Sequence, residues 1–144
     1  MSPPDPTPAT GPTSAPDSIP ARVRPGRTIT GMSAVLLPYT ADGTIDWPAV
    51  EAHIARTAAA GLTPAVNMDT GYVQLIDEPD QRRVLDIAAA VTGGRFVAGA
   101  YVPDRPGDPF DRAAYLKAAH DISQRGGTPV TLSLIHISEP TRPY

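Results

Sequence analysis

Short apolar runs alternate with segments of helical periodicity from Gly31 onward, and this alternation constrains the fold more than any other feature of the sequence. Short apolar runs are typical of buried strands, whereas apolar residues three and four positions apart are typical of amphipathic helices. Strands that alternate with helices at this spacing predict βαβ units and a parallel sheet. The predicted strands cover residues 33–39, 63–68, 95–102 and 128–132, and the predicted helices cover a segment after Asp46, residues 79–92 and residues 110–125.

Local signals mark where these helices begin and end. Asp46 is placed to cap the first helix, and Pro48 falls in its first turn, where a missing N–H costs nothing. Gly61 is expected to end that helix, and glycine pairs follow the other two. The first strand is short and apolar enough to be buried on both faces. The buried helix stripes are predicted to be Val50, Ile54 and Ala58, then Val84, Ala88 and Val91, then Tyr115, Ala119 and Ile122.

Two architectures fit a parallel βα pattern: an open doubly wound sheet and a (β/α)₈ barrel. A dinucleotide-binding doubly wound sheet requires a glycine-rich phosphate turn after its first strand. The turn at 38–44 holds one glycine and one proline, which favours the barrel. Barrels carry their chemistry in the loops after each strand, here 40–45, 69–77 and 103–108.

Composition narrows the classes of function. Residues 1–26 contain eight of the 18 prolines and almost no aliphatic side chain, so we expect this segment to be disordered. A net charge of −3 argues against nucleic acid as a partner, and the short basic stretch 21–27 is expected to be solvated. No apolar run is long enough to span a membrane. The absence of cysteine excludes disulfides and thiolate metal sites and fits a cytoplasmic protein.

The order and spacing of several small motifs resemble a known family. The stretch 31–77 resembles the opening of the dihydrodipicolinate synthase and N-acetylneuraminate lyase family of (β/α)₈ barrels, and the similarity extends over about 28–130. In that family a glycine and a strand precede an Asp-Gly-x-Ile-Asp turn, a helix with a histidine, and a strand that ends in Gly-Thr-Thr-Gly-Glu. The matching positions here are Gly31, Asp42, Gly43, Ile45, Asp46, His53, Gly61, Thr70 and Gly71.

The resemblance implies a lyase or class I aldolase that acts on a small oxo acid. In such enzymes a lysine on a later strand forms a Schiff base with the substrate, a tyrosine transfers protons, and no cofactor is needed. The family's threonine pair binds the substrate carboxylate, so Asp69, Thr70, Gly71 and Tyr72 are the implied substrate-binding residues. Asp69 replaces one of those threonines and puts a negative charge where the carboxylate is expected, which is unfavourable. Family members often form homotetramers, which implies a homo-oligomer at full length.

The single lysine of the chain does not fit the catalytic role. At 100° per residue, Lys117 lies about 160° from the buried stripe of its helix, so we expect it to be solvated. A Schiff-base lysine needs a lowered pKa at the end of a barrel strand. The sequence therefore predicts no catalytic residue in this chain.

The C-terminal residues 132–144 differ in composition from everything before them. Residues 132–142 can be encoded by DNA that resembles the transposon-end and adapter sequences of sequencing libraries, so we expect this tail to be non-native. The native sequence would then stop near Val130, inside a fourth strand. Because a complete barrel needs about 250 residues, residues 27–131 would be roughly half of one, inactive and with an exposed sheet edge.

Other interpretations remain open. Asp69 could be a base or a metal ligand in a divergent barrel enzyme, or the chain could be a small non-catalytic binding module. Asp77 and Glu78 precede a helix, where negative charge is favoured, so a metal site with Asp69 is the weaker interpretation and we predict none. The remaining polar residues are expected to be structural: His53, His120, Arg82 and Arg83 on helices, and His136 in the non-native tail.

Overall fold

The computed structural model describes residues 26–103 and 108–132. The predictions for the proline-rich segment and for nearly all of the tail therefore lie outside the described residues. Four strands and three α-helices alternate along the chain, with two short 3₁₀ helices, Asp69–Gly71 and Val73–Leu75, after the second strand. In chain order the elements are β1 (Met32–Ala34), α1 (Trp47–Ala59), β2 (Thr63–Val66), α2 (Glu78–Thr92), β3 (Val97–Tyr101), α3 (Arg112–Gln124) and β4 (Thr128–Leu132).

The four strands form one parallel sheet in the order β1-β2-β3-β4. Each strand therefore lies beside its predecessor, and the sheet has no point at which the strand order reverses. A doubly wound sheet has such a reversal, so the observed order is the one that successive strands have in a (β/α)₈ barrel. The sheet is open, because β1 and β4 each pair with a single neighbouring strand among the described residues.

All three helices pack on the same face of this sheet. Alternate strand residues such as Val66 and Ala98, which are paired in register, point into one core with helix residues such as Ile54, Val84 and Ile122. Ion pairs join α2 to α3 along the outside of this layer, including Arg125 Nε to Asp86 Oδ1 at 2.6 Å. One-sided helices are the arrangement of a (β/α)₈ barrel, in which the other face of the sheet lines the barrel interior.

The strand predicted at residues 33–39 is shorter, since β1 is Met32–Ala34, and the stretch 32–37 is buried on one side only, which corrects the prediction of burial on both faces. Val35 and Leu37 are buried in the helix-side core, whereas Leu36 between them is 51% exposed. Met32 is exposed as well, and Val130 is exposed at the other edge of the sheet. The prediction was wrong because Val35 and Leu37 belong to the core beneath the helices, whereas Leu36 and Met32 do not.

The helix boundaries follow the predicted signals closely. Asp46, Asp77 and Asp111 each cap a helix by accepting a hydrogen bond from a backbone N–H three residues later. Gly93, in the left-handed conformation at φ 62°, ends α2 as predicted. α3 begins at Arg112 rather than at 110, because the carboxylate of Asp111 provides the cap and Phe110 instead stacks on Tyr115 at 5.0 Å.

Position 99 requires a glycine because two neighbouring segments of the sheet approach each other closely there. A Cβ on Gly99 would overlap the carbonyl oxygen of Asn67 and the side chain of Leu132. Asn67 directly follows β2 and has a positive φ of 51°, which turns its backbone away from extended geometry. The end of β2 can therefore bend across β3 only where β3 carries no side chain.

Candidate active-site loop

The loop between β2 and α2 holds every residue that the sequence assigned to substrate binding. It leaves the sheet at Asn67, forms its two 3₁₀ turns, and reaches the cap of α2 at Asp77. Tyr72 joins the two turns in the left-handed conformation, with φ 59°. Because the loop follows a parallel strand, its residues lie at the edge of the sheet where barrels carry their active sites.

Asp69 and Thr70 are exposed, and they interact with each other. The backbone N–H of Thr70 donates to Oδ1 of Asp69 at 2.8 Å. The next amide, that of Gly71, donates to the carbonyl of Met68 at 2.9 Å. The backbone N–H groups of Thr70 and Gly71 therefore already have acceptors within the loop.

Gly71 and Tyr72 differ sharply in exposure. Gly71 is buried, and a Cβ there would lie 3.0 Å from the carbonyl oxygen of Val35, so the loop packs tightly on the segment after β1. Tyr72 is 50% exposed on the outside of the same turn. The close packing explains why residue 71 is a glycine without any role in binding. The phenol of Tyr72 is accessible from solvent.

Two amide side chains that the sequence did not single out hold this loop on α2. Gln81 donates from Nε2 to the carbonyls of Val73 and Ile76, both at 3.1 Å. Asn67 donates from Nδ2 to the carbonyl of Gln81 at 3.0 Å. The sequence could have predicted a turn at Asn67, because asparagine tolerates a positive φ and this one directly follows a strand. Nothing in the sequence predicts its hydrogen bond to Gln81.

The loop after β1 is held by its own hydrogen bonds. The hydroxyls of Thr40 and Thr44 both donate to Oδ1 of Asp42. These bonds, that of Thr40 first, lower the pKa of Asp42 below its ordinary value because they favour the charged carboxylate. An antiparallel bridge between Tyr39 and Ile45 closes the loop. The third predicted loop, 103–108, is described only at Pro103 and Asp108.

The carboxylates considered as metal ligands have other roles in the structure. Asp77 caps α2, and Glu78 accepts from Arg82 at 2.7 Å. Within residues 26–103 and 108–132, no group of three or more His, Cys, Asp or Glu side chains is gathered in a way that would hold a metal ion. Arg83 lies over the ring of Trp47, 4.1 Å from its centre, which joins α2 to α1.

The histidines that the structure describes and the lysine are on helices, not in the loop. His53 is half-buried in α1, His120 is exposed on α3, and His136 is outside the described residues. Lys117 has a side chain that is 68% exposed, and its Nζ lies 3.4 Å from Oε1 of Glu78. This confirms the predicted solvent-facing position of the only lysine.

Comparison with known proteins supports the fold. No family model matches the chain, and no curated protein is significantly similar to it in sequence. A crystal structure of a candidate dihydrodipicolinate synthetase from Pseudomonas aeruginosa is similar, with a TM-score of 0.59 and 20% sequence identity. The match covers 72% of this chain and 35% of that chain, so the chain spans about a third of its neighbour's length. At this identity the similarity establishes an α/β fold like that of a TIM barrel and leaves the chemistry open.

No helix in the described parts of the chain combines the length and the apolar character that crossing a bilayer requires.

Proposed function

We propose that this chain is the N-terminal part of a dihydrodipicolinate synthase-like (β/α)₈ enzyme, a lyase or aldolase that acts on a small oxo acid. The observation that carries the proposal is the sheet itself. Its four parallel strands lie in chain order with every helix on one face, and its fold is similar to that of a candidate dihydrodipicolinate synthetase. The uncovered face of the sheet, with Leu36 exposed, would line the barrel interior of the complete protein.

In this proposal the reaction proceeds through a lysine on a later strand. The amine attacks the keto carbon of the oxo acid, water leaves, and the resulting imine withdraws electrons from the neighbouring bond. Lys117 is unsuited to this step because its side chain is 68% exposed on a helix of the outer layer, where no barrel interior surrounds it. We therefore propose that this chain alone has no activity.

The β2–α2 loop would contact the substrate in the complete enzyme. Thr70 is exposed and carries a hydroxyl that can donate to the anionic end of an oxo acid. Its backbone N–H is held by Asp69, so a substrate carboxylate must displace the Asp69 side chain before it can use that donor. Gly71 is buried and lets the turn pack against the backbone of Val35, and the side chain of Tyr72 is half exposed to solvent.

The same hydrogen bond favours a second candidate role for the loop. One oxygen of Asp69 is fixed by the Thr70 amide, and the residue is exposed. The second oxygen can then take a proton from a substrate or bind a cation, as in a divergent barrel enzyme that uses Asp69 as a base or metal ligand. An Asp69→Asn variant of the complete enzyme distinguishes the two roles. If the loop binds the substrate carboxylate, the variant should bind the oxo acid about as well as the wild type or more tightly. If Asp69 is a base or a metal ligand, the variant should lose turnover.

The direct test begins with the genomic sequence downstream of the codon for Val130. We expect a reading frame that completes the barrel and places a lysine at the end of its sixth strand. The full-length protein, incubated with pyruvate and borohydride, should gain a reduced adduct on that lysine, because hydride addition to the imine carbon makes the bond permanent. A Lys117→Arg variant is the matched control and should be labelled equally. Failure to find such a lysine, or labelling confined to Lys117, would refute the Schiff-base mechanism.

A further inference from the structure

The structure repeats itself with a period of 65 residues. β3, α3 and β4 begin 65 positions after β1, α1 and β2, respectively, and α1 and α3 both contain 13 residues. Asp46 and Asp111 cap these two helices in the same way, each by accepting from the backbone N–H three residues later. Gly61 and Gly126 follow the helices with positive φ values of 76° and 82°. Two successive βαβ units therefore share their lengths and their local geometry.

The contact between β2 and β3 is where the first unit joins the second. Its register pairs Ala65 with Val97 and Val66 with Ala98, and all four residues are buried. Val66 and Ala98 belong to the core on the helix side, so Ala65 and Val97 point to the uncovered face of the sheet. One repeat later, β4 is the equivalent of β2 and has no strand on its far side among the described residues. β1 of a second copy is the equivalent of β3 and can fill that position.

The residues at the two free edges of the sheet suit this junction. By the repeat, Val130 and Met32 take the places of the buried pair on the uncovered face, and they are 38% and 63% exposed. Thr131 and Ser33 take the places of the pair on the helix side. Polar side chains fit there because no described helix follows β4 to cover them. A second copy would therefore bury the apolar pair and leave the polar pair near water.

A two-fold rotation between the copies closes the sheet. The four strands are half of those in a (β/α)₈ barrel, and a two-fold axis along the barrel keeps all strands parallel. β4 of each copy then pairs with β1 of the other, so neither edge stays free. A barrel of this strand number has an interior that side chains fill.

We propose that two copies of this chain associate about a two-fold axis into a closed parallel barrel, with Val130 of each copy beside Met32 of the other. This inference goes beyond the proposed function and shares with it only the barrel geometry of the sheet. It needs no lysine, oxo acid or substrate loop, so its tests succeed or fail independently of pyruvate labelling. In a complete enzyme, later strands of the same chain would occupy these two edges.

The first test is sedimentation velocity of the 144-residue chain over a wide range of concentrations. We expect a reversible equilibrium between the 15.1 kDa monomer and a species of twice that mass. The dissociation constant should be about 10 μM, because each junction contributes only one short pair of strands. Well below that concentration the chain is a monomer with Leu36 uncovered, which is the state that dilute urea titrations follow. A monomer at every concentration, or growth beyond the dimer, would overturn the proposal.

A proline at the free edge of β4 tests the strand pairing. The N–H of Thr128 donates to the carbonyl of Phe96, so the alternation of a parallel strand directs the N–H of Thr131 away from β3. Thr131→Pro removes a donor that only the second copy uses, and proline is tolerated on edge strands. It should weaken the dimer at least tenfold, whereas the matched control Thr131→Val keeps the N–H and should dimerise at least as tightly as the wild type. Urea denaturation checks that both monomers are folded, and equal dimerisation of the two variants would contradict the proposal.

Disulfide trapping tests the register and the closure. The chain has no cysteine, and in a Met32→Cys/Val130→Cys variant the two thiols lie on opposite edges of one sheet, so they can meet only between copies. Paired strands are about 4.8 Å apart, a separation that a disulfide can bridge. Oxidation by dissolved oxygen should therefore give covalent dimers and no longer chains.

The control for the trapping experiment is Met32→Cys/Thr128→Cys. It moves one thiol two positions out of register, to about 8 Å, which exceeds the reach of a disulfide. This variant should be trapped at least tenfold less. Equal trapping of the two variants, or a ladder of covalent polymers, would overturn the proposal.

Discussion

Two adjacent leucines on opposite faces of the sheet provide the sharpest test of the architecture. Leu37 is 8% exposed and belongs to the core beneath the helices, whereas Leu36 is 51% exposed on the uncovered face. Replacing each by alanine removes the same atoms from neighbouring positions. The two variants are therefore matched controls for one another.

The magnitudes follow from burial. Leu37→Ala leaves a cavity among packed side chains, and such changes cost about 2–5 kcal/mol, so we expect about 3 kcal/mol. Complete burial of a leucine side chain contributes about 1.5–3 kcal/mol to the free energy of unfolding. Because Leu36 is only about half buried, Leu36→Ala should lower that free energy by about 1 kcal/mol. The expected difference of about 2 kcal/mol is a large share of the stability of a domain of this size.

The assay is urea denaturation followed by the fluorescence of Trp47, the only tryptophan in the chain. The free energy of unfolding is extrapolated to water, and a constant slope against urea confirms that the same surface is exposed in each variant. An equal loss for Leu36→Ala and Leu37→Ala would refute the reasoning, because it would mean that both sides of the segment after β1 are covered.

Three further predictions concern the loops and the helix layer. The hydrogen bonds to Asp42 lower its pKa, so they stabilise the folded chain fully above its unfolded pKa of about 3.9, and this stabilisation is lost as the pH falls through the lower folded value. Asp42→Asn should remove that acid-side dependence from urea titrations, and an unchanged pH profile would contradict it. Arg83→Ala should shift the fluorescence of Trp47 and destabilise the chain by about 0.5–1 kcal/mol, whereas Arg83→Lys should retain part of that energy, and identical spectra for both variants and the wild type would show that the cation–π contact is not formed in solution. In the complete enzyme, Asp69→Thr should lower the KM for an oxo acid at least tenfold, since it removes the carboxylate that competes for the Thr70 amide, and a raised KM in steady-state assays would argue for the base or metal role.

The fold could be predicted from the sequence to a large extent because its signals are local. The cap at Asp46 and the stops at Gly61 and Gly93 depend on residues within a turn of each other, and each lies where the pattern indicated. The buried pairs Val50 with Ile54 and Val84 with Ala88 follow from helical periodicity alone. Strand ends were less accurate: β3 is Val97–Tyr101 instead of 95–102, because strand limits depend on which neighbour supplies hydrogen bonds.

The candidate site was only half predictable. The residues of the β2–α2 loop were placed by their position after a strand, but the bond from the Thr70 amide to Asp69 depends on the 3₁₀ turn that the loop adopts. The contacts of Asn67 with Gln81 join residues fourteen positions apart, and no sequence period links them.

The sequence by itself determined the alternation of strands and helices, the faces that the helices bury, and the solvent-facing position of Lys117, because hydrophobic periodicity and capping act within a few residues. Only the tertiary structure decided that every helix lies on one face, that Leu36 is uncovered, and that the buried Asn67 Oδ1 has no donor among the described residues. These features arise where distant segments meet, and the energy of such contacts is set by three-dimensional packing and by which groups are excluded from water.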